Sequence, residues 1–289
     1  MFTEAENVWA ALAIFTIGLT GVIVNSIVIY GVFHKKIFGY AFGTGCISHT
    51  LANLGITATF TFIVVPITLI DPGLHDTYLV SRSGQFLIFC YFLNEFSHLF
   101  LAINRCVIVY FPLKYSKIFT KSTCKVIMAF IVTFSFLLVI PHFWRECGET
   151  FLMEKLGYYL RETKCSQTVI IHMVYDLSIA VVRVTLSQQA SQGEQKNRFF
   201  FQSLAQAINF MVELVIYFAI APLVTNSWAY FVLTTLAWIS VHTVDGCIVI
   251  AFNKRVMFKP LKATINGMQA ARNVSNAISL FSRRDVSES

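Results

Sequence analysis

Two carboxylates, Asp176 and Asp245, stand in otherwise apolar sequence. Acids close enough to share a proton titrate as a pair and can do acid–base chemistry on a peptide bond. Intramembrane proteases of that kind carry Gly-x-Gly-Asp, whereas Thr243 and Val244 precede Asp245 here, so proteolysis is not supported. A second set of residues is better ordered. Tyr91, His98 and Arg105 are spaced by seven, with Asn94, Glu95 and Ala102 between them at helical offsets. They share one face of a helix. Thr235, Trp238, His242 and Asp245 fall on one face of another, and Asn25 and Asn53 are further polar groups in apolar runs. No CxxC or His/Cys spacing points to zinc, so no metal and no cofactor is expected.

The elements that carry these groups follow from composition. Hydrophobic residues make up 56% of the 289 and charged residues 13%, with a mean hydropathy of +0.66. A soluble domain carries roughly a quarter charged residues. The excess apolar surface must therefore face lipid. A bilayer-spanning helix needs roughly 20 mostly apolar residues. Residues 8–33, 41–70, 85–110, 126–144, 199–224 and 227–252 qualify, and a weaker seventh stretch is 169–186. They lack the alternation of a membrane β-barrel. The expectation is an all-α membrane protein, a seven-transmembrane helix bundle with a weak or shortened fifth helix. Residues 1–7 would be a short outer terminus, 8–252 the bundle and 253–289 a tail. No repeat or second soluble domain interrupts it.

Lysine and arginine orient the bundle. Segments 34–36, 111–125, 183–198 and 253–289, together with Arg105 at a helix end, hold 17 of the 22 basic residues. The others, Arg82, Arg145, Lys155, Arg161 and Lys164, lie among acids such as Asp71, Glu149 and Glu154. The expected orientation is N-terminus outside, C-terminus cytoplasmic, with the first helix as signal anchor. The net charge of +7 then belongs to a membrane face, and no nucleic-acid module is visible. Counted from Gln85, Arg105 lies about 30 Å along its helix, at the cytoplasmic mouth. An arginine there can be a plain interface anchor that snorkels to headgroups. Its place on a polar face instead points it into the bundle.

Asn104-Arg105 closing the third span, followed by Phe111-Pro112 and Tyr115, resembles the Asp-Arg-Tyr region of G-protein-coupled receptors. With Gly21 to Asn25, His242 to Gly246, and Phe252-Asn253, the chain most resembles the nematode serpentine chemoreceptors of class X. The resemblance covers nearly the whole chain. It implies a receptor, not an enzyme, that binds an extracellular small molecule and activates a heterotrimeric G protein. It implies a place in the plasma membrane, with the sensory neuron cilium as one location. Asn104 and Arg105 would be the activation switch. Pro112, Lys114, Lys117 and Lys121 would contact the G protein, although basic loop residues also serve topology alone. Asn25, Asn53, His242 and Asp245 would form an inner polar cluster. Tyr91, Asn94, Glu95, Tyr230, Thr235 and Trp238 are pocket candidates, against the alternative that such aromatics only pack.

Departures from the superfamily are equally specific. Gly55 stands where helix two usually carries an acid, Asp245-Gly246-Cys247-Ile248-Val249 replaces Asn-Pro-x-x-Tyr, and helix six has Asn209 and Glu213 rather than Trp-x-Pro. A sodium pocket and a tryptophan toggle are not expected. Of the seven cysteines only Cys147 and Cys165 fall in outer sequence, so these two are the expected disulfide. Two alternatives remain open. A transporter would show internal repeats and broken helices. A defective receptor would follow from an incomplete fifth span, since 169–186 carries His172, Asp176 and Arg183.

Overall fold

The computed structural model describes residues 2–35, 38–144, 147–160, 163 and 194–257. The weak span 169–186, with Asp176 and Arg183, and Cys165 lie outside the described residues. Six described helices are long and apolar enough to cross a membrane. We label them with the shorter elements in chain order. Helix α1 is Glu4–Lys35. Helix α2 starts at Tyr40–Thr59 and runs on through Phe60–Val64 and Val65–Ile70. Helix α3 is Tyr78–Tyr110, α4 the short Pro112–Ile118, and α5 Lys121–Val139. Helix α6 is Glu194–Val215, extended by Ile216–Ile220. Helix α7 comprises Ser227–Phe231, Val232–Leu236 and Ala237–Met257. Spans one to four are thus α1, α2, α3 and α5, and spans six and seven are α6 and α7.

The sequence sets several ends. Thr120 caps α5 by accepting from the Thr123 backbone, and Asn226 caps α7 by accepting from Ala229. Such caps satisfy otherwise orphaned donors. Proline ends α3 and then opens α4 at its first turn, where no amide donor is needed. Phe60–Val64, Ile216–Ile220 and Val232–Leu236 are π-helical turns. The first two precede Pro66 and Pro222, whose rings would collide with the carbonyl four residues back. The wider turn carries the following amide to the fifth carbonyl instead: Val65 donates to Phe60, and Ala221 to Ile216.

Burial inverts the soluble pattern. Trp9, Phe62, Phe130 and Phe136 are exposed, while Asn25, Asn53, Asn94, Glu95, His242 and Asp245 are fully buried. Helix α3 is the axis, with 72% of its best span buried against 28% for α1 and α5. It packs between α2 and α5, and α1 packs on α2. Close approach of α1 and α7 depends on Gly246: a Cβ there would lie 2.7 Å from Asn25 Oδ1 and 2.9 Å from Val24 Cγ1. The helical expectation gains one addition. The outer loop after α5 forms an antiparallel hairpin, β1 Glu149–Leu152 and β2 Gly157–Leu160, with Glu149 opposite Leu160.

Candidate functional site

Asp245 is the hub of the inner half. Its Oδ2 accepts from Asn53 Nδ2 at 2.7 Å and from His49 Nε2 at 2.7 Å. Its Oδ1 accepts from Gln206 Nε2 at 2.8 Å, with His98 Nε2 at 3.7 Å. Asn53 Oδ1 in turn accepts from Asn94 Nδ2 at 2.6 Å and His242 Nδ1 at 2.7 Å. Asn25 Nδ2 donates to the carbonyls of Gly21 and His242. The network therefore ties α1, α2, α3, α6 and α7 together. Asn25, Asn53, His242 and Asp245 lie in this one network. His49, His98 and Gln206 join them. Asn94 is drawn here by Asn53 and does not line the outer pocket.

His49, His98 and Asp245 also place three possible ligand atoms within 4.8 Å of one another. Metal–ligand bonds of about 2.0–2.2 Å keep tetrahedral ligand atoms more than about 3 Å apart. The 2.7 Å approach of His49 to Asp245 is a hydrogen bond, not a metal-bridged pair. Gly55 lies elsewhere, on the α2–α3 contact, where a Cβ would meet Cys90 Sγ at 2.7 Å. The polar residues of α2 that face Asp245 are His49 and Asn53.

Towards the outer end a pocket opens beneath the hairpin. Tyr91, Tyr158, Tyr217 and Trp238 are among its walls, with Glu149 and Glu213. The hairpin is pinned over it. Thr235 Oγ1 donates to the Leu156 carbonyl at 2.8 Å, Ser83 and Tyr158 share a hydroxyl hydrogen bond of 2.6 Å, and His75 stacks on Phe151 at 4.2 Å. The π-turn in α7 contains Thr235. Among the pocket candidates from the sequence, Tyr91 and Trp238 line it. Thr235 is committed to the hairpin, Tyr230 lies under Lys155, and Glu95 is fully buried within electrostatic reach of Glu213. Tyr158, Glu213 and Tyr217 are wall residues that sequence reasoning missed, as is Glu149. Burial pushes its carboxyl up to about 8.

At the inner end Arg105 is buried, with its guanidinium 5.0 Å from the Phe42 ring. Asn104 Nδ2 donates to Tyr115 Oη at 3.1 Å, which fastens α4 to α3. Pro112, Lys114, Lys117 and Lys121 are all exposed. Cys147 is disulfide-bonded, while its expected partner Cys165 lies outside the described residues. Cys46, Cys90, Cys106, Cys124 and Cys247 carry reduced thiols.

The described residues thus form a helix bundle with a polar axis, an outer pocket and a basic inner helix. The fold is similar to the crystal structure of squid rhodopsin, with a TM-score of 0.68 over 89% of this chain and 84% of that one, at 12% identity. The description "Serpentine type 7TM GPCR chemoreceptor Srx" matches residues 15–189 and 173–253, and the chain belongs to that family. It is 26% identical to Serpentine receptor class X 45 of Caenorhabditis elegans, over 95% of this chain and 86% of that protein. Serpentine receptor class X-43 of the same nematode is 25% identical over 87% of this chain and 86% of that protein. The family is one of multi-pass membrane receptors, not of enzymes.

Proposed function

We propose that this chain is a chemosensory receptor of the plasma membrane. Its N-terminus, residues 1–7, lies outside, and the tail from residue 253 lies in the cytoplasm. It binds a small extracellular molecule and activates a heterotrimeric G protein. The observation that carries this reading is the continuous polar face of α3. Tyr91 lines the outer pocket, Asn94 and His98 meet the Asn53–Asp245 network, and Arg105 closes the inner end. A ligand that favours one arrangement of this face shifts the population at the other end. Asn104 and Arg105 act as the switch. The exposed Pro112, Lys114, Lys117 and Lys121 offer a basic surface to an acidic partner, and the same charge suits anionic lipid. The test is agonist-stimulated nucleotide exchange on a reconstituted heterotrimer. Arg105→Ala should abolish exchange at equal surface level. Normal exchange would reduce Arg105 to a membrane anchor.

A second reading is favoured at the fifth span. The two family matches overlap at residues 173–189. The class X 45 alignment runs over 319 positions, more than this 289-residue chain, so that relative has residues with no counterpart here. A shortened fifth span would insert poorly and leave a defective receptor. Efficient insertion of residues 169–186 as an isolated span would remove this reading.

A further inference from the structure

The outer pocket holds two acids from different parts of the chain. Glu149 comes from β1 and Glu213 from α6, and each is more than nine-tenths buried. The Oε2 atom of each has no hydrogen-bond partner. An unmet buried polar group in a native protein calls for an explanation. Among the described residues no basic side chain forms an ion pair with either acid. The hairpin's own lysine, Lys155, is held over the rings of Tyr159 and Tyr230 at 4.0 and 5.0 Å rather than against either acid. The rest of the wall is aromatic: Tyr91, Tyr158, Tyr217 and Trp238. Aromatic faces attract a cation, most strongly when water is excluded. The cavity contains about 420 Å³ of unfilled space, mouth included, within the usual range for small-molecule sites.

We propose that this pocket binds a small organic cation, an amine, held between Glu149 and Glu213 and caged by the surrounding aromatic rings. The inference rests on the receptor reading above and names the chemical class of its ligand. A neutral ligand would leave both carboxyl groups without a charge partner. An acidic ligand would meet two acids, with Glu95 a third within electrostatic reach of Glu213. An ammonium group supplies three donors, and the unmet Oε2 atom of either acid can accept from one of them. An aryl group on the same molecule would fill the space beside Trp238.

Three matched probes separate these cases: tyramine, its alcohol analogue tyrosol, and the acid 4-hydroxyphenylacetate. Binding to the purified full chain in zwitterionic nanodiscs is measured directly, without G protein. Tyramine should bind at least about tenfold more tightly than either analogue, a difference of about 1.4 kcal/mol. Glu213→Gln and Glu149→Gln should each erase that preference while leaving tyrosol binding unchanged. Unfolding temperatures of both variants establish that they are folded. Equal or tighter binding of tyrosol or the acid overturns the proposal while leaving a ligand-binding receptor intact. Unchanged tyramine binding in both folded variants overturns it as well. If no probe binds, the cation proposal falls, and the receptor reading stands or falls separately on its nucleotide-exchange test.

Discussion

Asp245 and the pair Glu149 and Glu213 are buried to nearly the same degree but are treated in opposite ways. Asp245 accepts from Asn53, His49 and Gln206 on two other helices. The outer acids each leave an oxygen unmet. Burial alone therefore does not say what an acid does; the number of donors facing it does. A carboxylate whose lone pairs are occupied by fixed donors holds helices in register. One left open in a cavity is available to something that arrives. On the proposed reading the inner half of the bundle locks and the outer half receives.

The largest expected effect breaks the locked half. Asp245→Ala strands the donors of His49, Asn53 and Gln206 in the interior. Removing one partner from a buried charged network costs about 3–5 kcal/mol. Little folded protein should be recovered, measured as the monodisperse fraction in detergent. Glu213→Gln should by contrast leave that yield unchanged or raise it, because among the described residues none forms an ion pair with it. Equal losses in the two variants would erase the distinction between the halves.

A second effect is read from pH at the open half. The Glu149 carboxyl is held at about 8 by burial, above its ordinary value of 4.5. Glu213 lines the same pocket, and the Tyr158 and Tyr217 hydroxyls lie within electrostatic reach of Glu149. Between those two values the folded protein keeps a proton that the unfolded chain has released. The contribution of Glu149 to stability is therefore full below about 4.5, falls as pH rises, and is lost above about 8. Thermal unfolding of ligand-free protein should show this decline, and Glu149→Gln should remove it. An identical pH profile in the variant would mean that Glu149 is solvated.

The two halves were unequally legible in the sequence. Asn25, Asn53, His242 and Asp245 could be grouped because lone polar residues in lipid-facing helices must find one another. The polar face of α3 was visible as a seven-residue spacing. His49 and Gln206 carried the same signal but no local clue to their partner, which only the packing of α2 and α6 against α7 supplies. Glu149 was harder still. In a loop rich in acids and bases it read as solvated charge, and the hairpin that turns it inward depends on Tyr158 reaching Ser83 and Leu156 reaching Thr235. The start of α3 was set seven residues late because Ser81, Arg82 and Ser83 interrupt the apolar run. The two serine hydroxyls donate back along the helix, Ser81 Oγ to the Tyr78 carbonyl and Ser83 Oγ to the Val80 carbonyl, while Arg82 Nη1 donates to the distant Phe143 carbonyl.

The smallest effect tests whether the inner end can be loosened without touching the pocket. Asn104 is buried, and its amide donates to the hydroxyl of half-buried Tyr115 at 3.1 Å. Tyr115→Phe removes the acceptor and keeps the ring, which also packs on Phe119 at 5.2 Å. A single neutral hydrogen bond contributes about 0.5–1.5 kcal/mol. Unfolding temperature should therefore fall only slightly. If that bond holds α4 in the resting arrangement, its loss shifts the resting population by roughly two- to twelvefold, from the same energy range. Basal nucleotide exchange should rise by up to that factor, while tyramine affinity changes far less, because no pocket residue is touched. A rise in basal exchange with unchanged binding would separate switch from pocket. A fall in basal exchange would mean that the Asn104–Tyr115 bond belongs to the active arrangement, and that α4 must stay fastened for the G protein to engage it.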